Sequence, residues 1–145
     1  MMVDNRNPEA SNANVRKVMK ANKGKGTKPE LLVRQILRES GHPGYRLNWK
    51  KAPGRPDIAY PGRKIAIFVN GCFWHRCPYC NLSIPKTHPE FWQQKFDRNV
   101  ERDSRKIQEL EHMGWTTITI WECQVKKAPE RVRETLRDVL GPSDV

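Results

Sequence analysis

The chain has no long apolar run. Nowhere in its 145 residues is there a stretch approaching the roughly 20 apolar residues that a membrane-crossing helix needs. Its first residues, MMVDNRNPEASNANVRKVMK, lack the apolar core of a secretory signal. Both absences lead us to expect a cytoplasmic protein. Acidic residues are scarce, 16 Asp+Glu against 27 Lys+Arg, for a formal charge of +11. Such a basic domain suits a polyanionic partner. No amphipathic basic helix stands out, so nucleic acid fits better than a membrane surface. Cysteine is also rare, at four residues, and in a reducing compartment these are metal ligands or free thiols rather than disulfides. There is no internal repeat and no sign of a second domain; the length suits one compact core.

What is present reads as an ordered series of elements. Residues 1–26 are polar and basic, contain Gly24-Lys25-Gly26, and are expected to form a flexible arm that tracks phosphates. A short helix is expected near Ala13–Ala21. Thr27-Lys28-Pro29-Glu30 opens a helix as a capping box, with Pro29 tolerated in the first turn. Leu31, Leu32, Val33, Ile36 and Leu37 give it a broad apolar face, and Gly41 ends it. A short strand is expected near Tyr45–Trp49. Arg55-Pro56-Asp57 leads into a strand that Pro61-Gly62-Arg63 turns back. Lys64–Asn70, KIAIFVN, reads as a buried strand. Pro89 starts a long helix ending near His112, with Gly114 as its stop. Thr116–Trp121 is the clearest strand, and a last helix opens at Ala128-Pro129-Glu130, with Val132, Leu136, Val139 and Leu140 on one side. This order predicts an α/β fold, a mixed β-sheet flanked by helices, as a single domain over residues 27–141.

The cysteines are placed for metal. Cys77-Pro78-Tyr79-Cys80 has the tight spacing that lets two thiolates reach one ion. Cys72 follows one expected strand and Cys123 another, so adjacent strand ends bring all four together. Four protein thiolates leave no open coordination position, which points to a structural Zn²⁺. The alternative is four small thiols packed in the core.

Three polar residues ask for an explanation. Asp57 stands at a strand start, where Asp is disfavoured unless something holds it; a solvated turn is the alternative. On the long helix, Asn99 and Asp103 share a face with Phe96, Val100, Ile107, Leu110 and Met113. A carboxylate in an apolar stripe is costly unless paired or bound to a cation, while Arg102, Arg105 and Lys106 read as lying on other faces. His75 lies between the proposed thiolates as a further ligand, a core histidine or a general base. Glu30 is explained by the capping box without any further role.

As a set, PGRPDIAYPGRKIAIFVNGCFWHRCPYC, PEFWQQKFDRNVERD and GWTTITIWEC resemble the very short patch repair (Vsr) family of DNA mismatch endonucleases, from about Thr27 to Cys123. The resemblance implies a core similar to type II restriction nucleases, stiffened by Zn²⁺ on Cys72, Cys77, Cys80 and Cys123. It implies a catalytic set of Glu30, Asp57, His75 and Asp103. Asp57, with Asn70 beside it, would hold Mg²⁺, and His75 would activate the attacking water. Family members nick one strand beside T:G mismatches left by deamination of 5-methylcytosine, inserting aromatic side chains between base pairs. Phe73, Trp74 and Trp92 match those wedges, and Asn99 falls in the matching helix motif. The implied partner is mismatched double-stranded DNA, acted on by a monomer, with mismatch-repair proteins as further partners. The chain departs from the family's pattern at Asn70, where Asp or His is more usual, and at the second zinc position, which is often His. The restriction-type E-x-K is missing from Phe68-Val69-Asn70. A homing or phage-defence nuclease with the same core, or a zinc-stabilised DNA-binding module without activity, are the competing readings.

Overall fold

A computed structural model describes residues 26–142. The arm expected over residues 1–26, with its helix near Ala13–Ala21, therefore lies outside the described residues except for Gly26. Helix α1 (Lys28–Glu39) has Pro29 in its first turn and buries Val33, Ile36 and Leu37. The apolar face is narrower than the sequence suggests, because Leu31 and Leu32 are exposed. The helix ends as expected at Gly41, whose φ is +85°. The Gly41 N–H reaches Arg38 O at 3.1 Å and the His42 N–H reaches Leu37 O at 2.9 Å, the paired bonds of a Schellman stop that a left-handed glycine permits.

Four strands follow: β1 (Arg46–Leu47), β2 (Ile58–Tyr60), β3 (Ile65–Asn70) and β4 (Thr116–Trp121). They lie in the order β1-β2-β3-β4. β1 and β2 pair antiparallel, as do β2 and β3, with Tyr60 opposite Ile65. The Pro61–Arg63 turn and Lys64, at φ +55°, close that hairpin. β3 and β4 run parallel from the Ile65–Thr116 pair to the Asn70–Trp121 pair. Parallel strands need a long crossover, and most of it is helix α3 (Pro89–His112). Between them is a one-turn helix, α2 (Cys72–His75). After β4 come α4 (Glu122–Lys127) and α5 (Pro129–Leu140). Neither α2 nor α4 was expected from the sequence, which places these stretches just beyond two strands without assigning them a helix. Among the described residues no helix is long and apolar enough to cross a membrane.

β3 sorts the core. Its side chains alternate between the two faces of the sheet. Ile65 and Ile67 join Val33, Leu37, Val132 and Leu136 beneath α1 and α5, whereas Ala66 and Phe68 meet Leu110 and Ile107 of α3. The same alternation sends Asn70 towards α3. Of the apolar stripe expected on α3, Phe96 and Leu110 are buried, while Val100 and Met113 are about half exposed. The difference is physical. Val100 lies on the side of Phe96 away from Trp92 and Leu110, at the edge of the buried face, and Met113 follows the last helical residue.

Candidate active site and metal centre

Two elements bring Asp57 to the end of β3. β2 runs antiparallel to β3, so the start of β2 lies beside the end of β3. There Asp57 Oδ2 accepts the Val69 N–H at 2.8 Å, the partner that a carboxylate at a strand start requires. Burial is the main influence on this carboxyl, and Glu30 adds to it; the Val69 N–H, Lys106 and His75 oppose it, leaving the group pushed up to about 6. A partly buried carboxylate held this way favours a cation beside it.

The pocket next to Asp57 has a volume of about 450 Å³ and is lined by Glu30, Asp57, Asn70, Phe73, Trp74 and His75, among others. Its position outside the carboxyl ends of the two parallel strands is where open α/β sheets place their ligands. Four of the residues anticipated as catalytic or Mg²⁺-binding thus share one cavity. Asp103 reaches it through His75: Nδ1 of His75 donates to Asp103 Oδ2 at 2.5 Å. With Nδ1 engaged by the carboxylate, Nε2 is the ring nitrogen left to exchange a proton.

Glu30 departs from the capping expectation. Thr27 makes no side-chain cap. The Glu30 carboxylate is instead 2 % exposed and bound by the Arg34 guanidinium one turn on. Burial inside the α1 face outweighs the solvent-facing geometry of a capping box. Asn99 is also placed specifically: its side-chain amide donates to Trp74 O at 3.1 Å, tying α3 to α2.

The aromatic residues form a third cluster. Trp74, Trp92 and Phe96 are buried, with Phe73, Ile84 and Phe91 packed against them. Phe73 meets Trp74 edge-on at 5.1 Å and Phe96 at 5.2 Å. The Arg76 guanidinium stands 4.1 Å from the Phe96 ring centre. The indole N–H of Trp74 is buried with no hydrogen-bond partner among the described residues.

The four cysteines meet as the spacing predicts. Their sulfurs all lie within 4.8 Å of one another, the group among the described residues arranged to hold a metal ion. Cys77 and Cys123 sulfurs are 3.7 Å apart, close to the roughly 3.8 Å separation in a tetrahedral zinc–thiolate site with bonds of about 2.3 Å. The Cys123 N–H points at Cys72 Sγ at 3.4 Å. Burial pushes the Cys72 thiol up; a bound cation would reverse that pressure. Glu122 links this centre to the pocket, since its Oε1 accepts the Cys72 N–H at 3.3 Å and its side chain lines the cavity.

The sequence reading missed Lys106. It lines the pocket, and its Nζ lies 3.6 Å from Asp103 Oδ1. The signal was its i+3 spacing from Asp103, which puts both on one helix face.

The family described as DNA mismatch endonuclease Vsr matches residues 10–81. A relative named Type II nicking enzyme V.XorIIP, of Xanthomonas oryzae pv. oryzae, is 35% identical over 142 residues, covering 98% of this chain and 100% of its own. Type II nicking enzyme V.NmeAIP, of Neisseria meningitidis serogroup A, is 39% identical over 118 residues, covering 79% of this chain and 84% of its own. DNA mismatch endonuclease Vsr of Escherichia coli K12 is 36% identical over 96 residues, covering 66% of this chain and 62% of its own. Matched by the family across its carboxylate strand and cysteine turn, and by one relative across almost all of its length, the chain belongs to the Vsr family of DNA endonucleases.

Proposed function

We propose that this endonuclease nicks one strand of duplex DNA beside a T:G mismatch by Mg²⁺-dependent hydrolysis, as a step of very short patch repair. The observation that carries the reading is the pocket itself, where Asp57 and His75 face one cavity and Asp103 backs the histidine. Asp57, Asn70 and Glu30 offer hard oxygen donors around open space. That set suits Mg²⁺, which takes one or two carboxylates and fills its remaining positions with water and phosphate. Bound there, Mg²⁺ supplies positive charge to the phosphate as negative charge builds in the transition state.

The chain's own residues then do the following. Asp103 holds the His75 ring with Nε2 towards the cavity. Nε2 takes a proton from water as the water oxygen bonds to phosphorus. The P–O3′ bond breaks in line, the 3′ oxygen takes a proton from solvent, and the strand ends as a 3′-hydroxyl and a 5′-phosphate. Asn99 acts through α2 by holding the Trp74 carbonyl.

Phe73 and Trp74 line the same pocket as His75, so a base step pushed apart by them, with Trp92 behind, would present its phosphate to the site. Unstacking costs a few kcal/mol and least at a mismatch, so a wedge selects weak pairs. Zn²⁺ held by the four cysteines would fix α2 and hence both His75 and the wedge.

The test compares nicking of one duplex carrying a single T:G mismatch with its fully paired counterpart, with and without Mg²⁺. Mismatch-selective, Mg²⁺-dependent nicking is expected; equal nicking of both duplexes would sink the mismatch reading.

A further inference from the structure

Lys106 carries a consequence for the same reaction. A DNA phosphate entering the pocket meets Glu30 and Asp57, and β3 ends in the neutral Asn70 rather than a lysine. Beside the charge that Mg²⁺ would supply, any protein cation for the nonbridging oxygens has to come from outside β3. Lys28, Arg55 and Lys126 also line the cavity, but Lys28 and Arg55 are exposed, and Lys126, its side chain 60% exposed, has its Nζ 2.9 Å from Glu122 Oε2. Lys106 is withdrawn to 27% exposure.

Its position is built from three sides. A Cβ on Gly54 would fall 2.6 Å from Lys106 Cγ, so the glycine, at φ +76°, leaves room for the lysine stem. The ammonium lies 5.7 Å from the Phe68 ring centre, within cation–π range. It stands 3.6 Å from Asp103 Oδ1, longer than an N–H···O hydrogen bond. This is an ion pair that a phosphate oxygen can replace without breaking a hydrogen bond. Its field already opposes the burial of Asp57.

We propose that Lys106 is a catalytic residue whose ammonium contacts the scissile phosphate and stabilises the charge that grows there, supplying from α3 the lysine that β3 lacks. This rests on the nicking function proposed above. In P–O cleavage it forms no bond and gives up no proton; it neutralises charge.

The experiment is single-turnover nicking, by the full chain in Mg²⁺, of a duplex that the wild type nicks. It uses Lys106→Met, Lys106→Gln and Lys106→Arg, with melting temperature and zinc content checked for each. Met and Gln should slow cleavage by ~100-fold or more, as for loss of one preorganised charge donor, with duplex affinity changed by no more than about threefold, a small loss for one phosphate contact. Arg should recover a good part of the rate, since it keeps the charge. Combined with Asp103→Asn, the Lys106→Gln loss should multiply. A folded Lys106→Gln that cleaves as fast as wild type overturns the proposal. So does a double variant no slower than Asp103→Asn alone, because Lys106 would then act through Asp103 as a positioning residue. A wild type that nicks no duplex overturns the nicking reading, and this inference with it.

Discussion

Asp103 divides its two oxygens between two partners, Oδ2 to His75 at 2.5 Å and Oδ1 to Lys106 at 3.6 Å. Asp103→Asn replaces an acceptor by an amide that can present a donor to Nδ1, which would turn the imidazole to the wrong tautomer. We predict a ~10²–10⁴-fold slower nicking step, the range general-base catalysis contributes, with DNA affinity retained. Single-turnover rates beside binding isotherms check this. Asp103 was legible in the sequence because a carboxylate within an apolar stripe demands a partner. Glu30 was legible only through the family resemblance, because on local grounds Thr27-x-x-Glu30 satisfies a capping box, and it takes tertiary packing to leave the carboxylate 2 % exposed. Lys106 was missed although it lies at i+3 from Asp103, since a lysine beside two arginines reads as a solvated face.

At the scale of elements, the main strands and the long helix were legible from apolar runs and their glycine and proline ends. The short helices α2 and α4 were not. A four-residue helix such as Cys72–His75 has no periodicity to read, and α2 is held by α3 and the cysteine cluster rather than by helix propensity. The aromatic cluster between α2 and α3 makes two neighbours differ in kind. Trp74 is 8 % exposed, so Trp74→Ala should cost ~3–5 kcal/mol of stability, as well as mismatch preference. Phe73 sits at the pocket edge of that cluster. Phe73→Ala should lower the ratio of mismatched to paired nicking while costing clearly less stability. Denaturant unfolding and paired nicking assays separate the two. An unchanged ratio for both variants would assign the aromatics to the core alone.

At the scale of the whole molecule, Cys72, Cys77 and Cys80 lie in one turn and Cys123 follows β4, so one metal ion would join the far ends of the two parallel strands. The expected stoichiometry is one zinc per chain. Stripping it with a strong chelator should lower Tm by ~10 °C or more and abolish nicking, and zinc should restore both; a metal-free protein with unchanged Tm would refute the site. The +11 charge predicts nothing about where the strand is cut. That depends on the pocket, and the carboxylate at its centre gives the most direct test of the account. The measurement is the single-turnover nicking rate of Asp57→Ala against wild type in Mg²⁺, both saturating the same T:G duplex. The wild type should nick, and the variant, equally bound, should be slower by at least ~100-fold. Equal rates, or two proteins that bind the duplex and cut nothing, would contradict it.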